Sequence, residues 1–162
     1  MARFEEAIRR TLPYEGGYVN DADDPGGETN FGISKRQYPR LNIKTLARKD
    51  AIEIYRRDYW NPLYDQIQSL DIACELFDFG VNAGVDVAVM GLQRALRRIV
   101  AGPVMVDGVF GPRTLEMVNT SDPERLLLRF HIQMAIHYAK CAVRDPCKEK
   151  FLDNWMTRAL EV

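Results

Sequence analysis

Apolar residues recur every three to four positions through most of this chain. Phe4, Ile8 and Leu12 repeat every four residues with Ala7 and Thr11 beside them, which predicts an amphipathic helix at the N-terminus. Glu15 continues that face three residues beyond Leu12. Pro13 disturbs the helix from within, and Gly16 with Gly17 stops it. Ser34 followed by Gln37 reads as a capping box opening a short helix, which Pro39 limits. Ala51, Ile52, Ile54, Tyr55 and Tyr59 mark a helix of about three turns that ends near Trp60, before Pro62. Ser69 caps the next helix, which carries Ile72, Ala73, Leu76, Phe77 and Val81 and is stopped by Gly84. Val85, Val89, Leu92, Leu96 and Ile99 predict another.

The rhythm breaks twice. Residues 14–34 hold five glycines, a proline and a cluster of acids. Ordering so glycine-rich a stretch is entropically costly, so its backbone and acids are candidates for chemistry. Pairing Tyr18 and Val19 with Asn30 and Phe31 would fold it into a small β-hairpin with the acids near the tip. The second break is residues 102–112, where Asp107 and Gly108 form a tight-turn dipeptide and Pro112 suits the first position of a helix. Asp122 with Pro123, and Asp145 with Pro146, repeat a cap-plus-proline signal. They open helices carrying Leu126, Leu127, Phe130, Met134 and Tyr138, then Phe151, Leu152, Trp155 and Ala159. The expected fold is mainly α, with one or two small β-hairpins.

Composition narrows the classes. Hydrophobic residues make up 46% of the 162 and charged ones 28%, as in an ordinary globular protein. The formal charge of −1 argues against nucleic acid as a partner. Cys74, Cys141 and Cys147 are an odd number without a CxxC spacing, so neither a disulfide framework nor a zinc site is expected. The N-terminal MARFEEAIRR lacks the apolar core of a signal peptide, so synthesis in the cytoplasm is expected, with export by another route. No run reaches the ~18 apolar residues of a membrane span, so stable membrane insertion is not expected.

The first break can do acid chemistry. Glu15 stands on a buried helix face and at its C-terminal end, and both placements disfavour the ionised carboxylate. An acid kept protonated near neutral pH is what glycosidic cleavage requires of a general acid. Asp24, in a polar loop, should stay ionised and can stabilise the developing charge. Thr29 can hold a water if the hairpin forms. The bland reading is a solvated helix end beside an acidic loop. A calcium site from Asp21, Asp23, Asp24 and Glu28 is a rival, but it lacks the bidentate glutamate at EF-hand spacing.

Other residues carry two readings each. Tyr18, Phe31, Tyr59 and Trp60 can stack on sugar rings, although aromatics at helical spacing, Tyr59 and Trp60 above all, are more often core. Asn82 can bind an N-acetyl group or satisfy backbone at a helix end. His131 and His137, six apart on one helix, do not have a ligand spacing. Arg94, Arg97 and Arg98 read as a solvated helix face or as a contact for an anionic polymer.

The motif EGGYVND followed by DPGGETNFGIS resembles the signature of glycoside hydrolase family 108, the phage-type and secretion-associated N-acetylmuramidases. AIEIYRRDYWNPL resembles the family's tyrosine-tryptophan helix, and FDFGVNAG, LQRAL and VDGVFGPRTL resemble its C-terminal peptidoglycan-binding region. The resemblance implies a lysozyme-like helical fold with the small β-hairpin at the active-site cleft. It implies a catalytic lobe over 1–69 and a helical peptidoglycan-binding lobe over 70–162, together one compact unit. It further implies cleavage of the N-acetylmuramic acid to N-acetylglucosamine β-1,4 linkage, with Glu15 as the acid and Asp24 and Thr29 completing a catalytic trio. Peptidoglycan glycan strands are the implied partner, no cofactor or metal is implied, and release through a holin-type pore to the periplasm and cell wall fits the phage-type members. The motif has Ala22 where the family often has proline, a change that removes no functional group. A lytic transglycosylase and a non-catalytic wall-binding module are the alternatives.

Overall fold

The computed structural model describes residues 2–20, 27–145, 149 and 151–160. They divide into two compact units, Met1–Trp60 and Asn61–Val162.

The first unit begins with α1 (Ala2–Thr11), which runs directly into a 3-10 turn, Leu12–Glu15. Pro13 is the reason for the tightening: with no N–H it cannot donate to the carbonyl four residues back. Phe4, Ala7, Ile8, Thr11 and Leu12 are all buried, as the four-residue repeat requires. The helical run ends at Gly16, whose φ of 69° is a conformation other residues rarely adopt.

Two short strands follow, β1 (Thr29–Asn30) and β2 (Ile33–Ser34), paired antiparallel through a two-residue turn. Both central residues, Phe31 at φ 50° and Gly32 at φ 73°, have positive φ, the mark of the type I′ hairpin turn. The sequence expectation of Tyr18 and Val19 against Asn30 and Phe31 is corrected by one residue: Val19 bridges Thr29 instead, with both backbone bonds at 2.8 Å. Asn30 decides this register. Its buried side-chain amide donates to the carbonyls of Ile43 (3.1 Å) and Leu46 (3.4 Å), while its backbone pairs with Ile33. Phe31 is consumed by the turn.

The capping box at Ser34 forms only in part. Gln37 N–H donates to Ser34 Oγ at 3.2 Å, but the segment closes a single turn rather than a helix. The Gln37 side chain donates to Tyr59 Oη at 2.7 Å instead of returning to the cap. Helix α2 (Arg48–Tyr59) then packs on α1 and buries Ala51, Ile54 and Tyr55. Trp60, 6% exposed, sets its ring edge-on to Phe4 at 5.4 Å, so the core reading of this tryptophan holds.

The second unit opens with a 3-10 turn, Pro62–Gln66, capped by Asn61, and continues as five helices: α3 (Leu70–Ala83), α4 (Val85–Leu96), α5 (Pro112–Thr120), α6 (Pro123–Arg144) and α7 (Leu152–Leu160). Ser69 and Asp122 cap α3 and α6 through Ile72 N–H and Arg125 N–H, and Pro112 and Pro123 stand in first turns, as their spacing predicts. The start expected at Asp145 and Pro146 runs into residues 146–148, outside the described residues. Asp145 itself caps the end of α6. Gly84 alone joins α3 to α4, at φ 102°. Around α6, Phe79, Phe130, Met134 and Tyr138 are buried, and Tyr138 stacks on Trp155 of α7 at 5.4 Å. Among the described residues no helix is long and apolar enough to cross a membrane.

Candidate active site

Glu15 is the last residue of the 3-10 turn that extends α1, so its backbone stands at the carbonyl end of a helical run starting at Ala2. The Glu15 side chain lies outside the described residues, and so does Asp24 in the stretch 21–26.

The Val19–Thr29 bridge holds the segment after Glu15 against β1, so Tyr18 and Thr29 are brought to one strand pair. Thr29 is half-buried between Val19 on one side and Ser34 on the other. Tyr18, 41% exposed, donates its hydroxyl to Glu28 Oε1 at 2.9 Å. That bond to a carboxylate holds the phenol above its ordinary pKa. A tyrosine tied at its polar end and open on its ring face suits contact with a sugar.

Phe31 occupies the hairpin turn, and Tyr55 of α2 donates its hydroxyl to the Phe31 carbonyl at 2.9 Å. The Tyr55 ring also meets the Tyr59 ring at 5.5 Å. Phe31 and Tyr59 are therefore both anchored to one buried tyrosine. Asn82 belongs to the second unit, at the end of α3, where its amide donates to Tyr138 Oη at 2.9 Å.

A polar group that sequence reasoning missed lies on the outer turn of α2. Arg57 donates twice to Asp58, through Nε and Nη2 at 2.7 Å each, and Tyr38 donates to Asp58 Oδ2 at 2.7 Å. The guanidinium holds the Asp58 carboxyl below its ordinary pKa, and burial followed by Asp58 raises the Tyr38 phenol. A cleft of about 370 Å³ opens between residues 37–41 and this end of α2. The only signal in the sequence is the dipeptide of Arg57 and Asp58, which occurs on countless solvated helices. Among the described residues no group of three or more His, Cys, Asp or Glu could hold a metal ion.

In the second unit, the expected turn at Asp107 and Gly108 is present, and its construction is structural. Gln93 of α4, 1% exposed, accepts from the N–H groups of Asp107 and Gly108 at 3.0 Å and donates to Asp107 Oδ1 at 2.8 Å. Asp107 Oδ1 also accepts from Val109 N–H at 2.9 Å, so the motif is clamped from both sides.

The comparisons with known proteins fit this description. A mainly α fold with one small hairpin after a glutamate-ended helical run is lysozyme-like, and residues 8–84 match the family model described as "Glycosyl hydrolase 108", which supports a glycosidase. Residues 87–160 match the model described as "Predicted Peptidoglycan domain". Residues 8–84 thus carry a glycosyl hydrolase 108 domain, and residues 87–160 a peptidoglycan domain. It is similar to a solved structure titled "Structure of Brucella abortus SagA", at 26% identity and a TM-score of 0.73, over 99% of this chain and 95% of that one. No curated protein matches it. The family and the C-terminal domain together support peptidoglycan hydrolase activity.

Proposed function

We propose that this protein is an N-acetylmuramidase that hydrolyses the β-1,4 linkage between N-acetylmuramic acid and N-acetylglucosamine. The observation that carries the reading is the family match over residues 8–84, which takes in both Glu15 and Thr29. Glu15 protonates the leaving glycosidic oxygen as the bond to the anomeric carbon breaks. The carbonyl end of the helical run beside it disfavours its anion, the direction a general acid requires. Asp24 stays ionised and stabilises the oxocarbenium-like charge, and the Thr29 hydroxyl orients the water that adds to the anomeric carbon. Tyr18, Phe31 and Tyr59 supply ring faces for the glycan.

The test is a zymogram of wild type beside Glu15→Gln, with mass spectrometry of the digested wall. Removal of a general acid should lower clearing by about 10²–10⁴-fold. Equal clearing by both proteins would show that Glu15 is not the acid. Wall products lacking one water at the muramic end would identify a lytic transglycosylase instead. The proposal extends to a phage-type, bacteriolytic role in the cell wall: cytoplasmic expression should lyse a host only when a holin-type pore is co-expressed, and lysis without the pore would refute that route.

A further inference from the structure

The second unit carries a cationic concavity that the proposed chemistry does not use. Arg94 on the last turn of α4, Arg97 and Arg98 at and just beyond its C-terminal end, and Gln133 of α6 line a cleft of about 430 Å³. Arg97 caps the C-terminal end of α4 and Arg98 lies in the turn that follows. Arg94 reaches the Met90 sulfur at 3.9 Å, and among the described residues none of the three arginines is paired with a carboxylate.

The adjoining stretches of sequence are short of acids. Residues 87–106 contain three arginines and no acid, and residues 125–144 contain three arginines, a lysine and no acid, in a chain whose net charge is −1. Arg144, Arg94 and Lys140 all bear on His137, where they add to burial in lowering its proton affinity. Solvated arginines on a helix usually stand apart or pair with neighbouring acids. Three that line one cleft with a side-chain amide offer it several hydrogen-bond donors and positive charge.

We propose that this cleft binds carboxylates of the peptide stems of peptidoglycan, so that the second unit reads the peptide while the first unit works on the glycan. The inference rests on the proposed peptidoglycan substrate. The planar guanidinium fork matches a carboxylate in bidentate fashion, and Gln133 can pair with a neighbouring peptide group. The stems carry free carboxylates at regular intervals along the polymer, which suits an open cleft more than an enclosed pocket does.

The experiment measures co-sedimentation of the full chain with sacculi freed of teichoic acid, and with bead-immobilised glycan strands from the same sacculi after an amidase has removed the stems. The double variant Arg97→Gln/Arg98→Gln changes exposed residues, and circular dichroism checks that it folds. Wild type should bind stem-bearing sacculi at least tenfold more tightly than stripped strands, and the double variant should lose that difference. A free stem tetrapeptide should displace wild type, and its carboxyl-amidated form should not. Equal binding of wild type to sacculi and to stripped strands, or full affinity in the double variant, overturns the proposal. A loss seen only on walls that retain teichoic acid overturns it in favour of phosphate. Release of reducing ends by wild type from stripped strands reads the glycan cleavage separately, so failure there would refute the muramidase reading without deciding the cleft.

Discussion

The Tyr55 hydroxyl donates to the carbonyl of Phe31 at 2.9 Å, tying a buried residue of α2 to the one non-glycine residue at positive φ among those described. The hairpin turn at Phe31 and Gly32 would be easier with asparagine at its first position. The bond from Tyr55, itself 1% exposed, holds the strained carbonyl in place and with it the strand that carries Thr29.

Tyr55→Phe should therefore destabilise the protein by about 1–2 kcal/mol, the cost of a lost hydrogen bond plus a poorly solvated carbonyl. Urea denaturation measures it. If the hairpin positions Thr29 for catalysis, turnover at saturating substrate should fall as well. An unchanged midpoint would show that the turn holds without the bond.

Gln93→Leu should cost more, about 2–4 kcal/mol, because it removes the partner of two backbone N–H groups and of the Asp107 carboxylate at once. Hydrogen exchange should accelerate first at Asp107, Gly108 and Val109. Uniform acceleration over the second unit would mean that the clamp is no local feature.

Gly108→Ala meets two obstacles. The residue has φ 76°, and an added Cβ would lie 3.2 Å from the Asp86 backbone oxygen. A loss of about 1–3 kcal/mol is expected, read from thermal or urea unfolding. Gly102→Ala is the control: it has φ 116° but nothing within 4 Å of the new Cβ, so it should show the backbone strain without the clash.

Stability should fall in two stages on acidification. Burial sets His131 and His137 below the ordinary value of 6.5, so the unfolded chain takes up protons first. Their contribution is complete above pH 6.5 and is lost as pH falls through the folded values. The carboxylates follow. Bonds from Arg9 and then Arg10 lower Glu6 to about 2, Arg57 lowers Asp58, and the Val109 N–H followed by Gln93 lowers Asp107. What they contribute is complete above the ordinary carboxylate values and is lost as pH falls through the depressed ones. Thermal melts from pH 8 to pH 2 should show a plateau and then a two-step decline. A melting temperature that rises between pH 6.5 and pH 5 would contradict the histidine step.

The spacing of apolar residues determined the helices. Phe4, Ile8 and Leu12 had to share one buried face, and Ser69, Asp122 and Pro123 had to sit at helix starts, because repeat, cap and missing N–H are properties of a few adjacent residues. The glutamate before two glycines, and the family motif around it, were likewise legible in order along the chain. Tertiary structure decided what local spacing leaves open. The hairpin register turned on Asn30, whose amide needed carbonyls at Ile43 and Leu46, thirteen and sixteen residues away. The Asp107 turn, a bare Asp-Gly pair in the sequence, was fixed by Gln93, fourteen residues earlier. The arginines of α4 read as a solvated face until α6 brought Gln133 across from them to line one cleft. In each case a polar side chain finds its partner through the fold, and the periodicity of apolar residues carries no record of that choice.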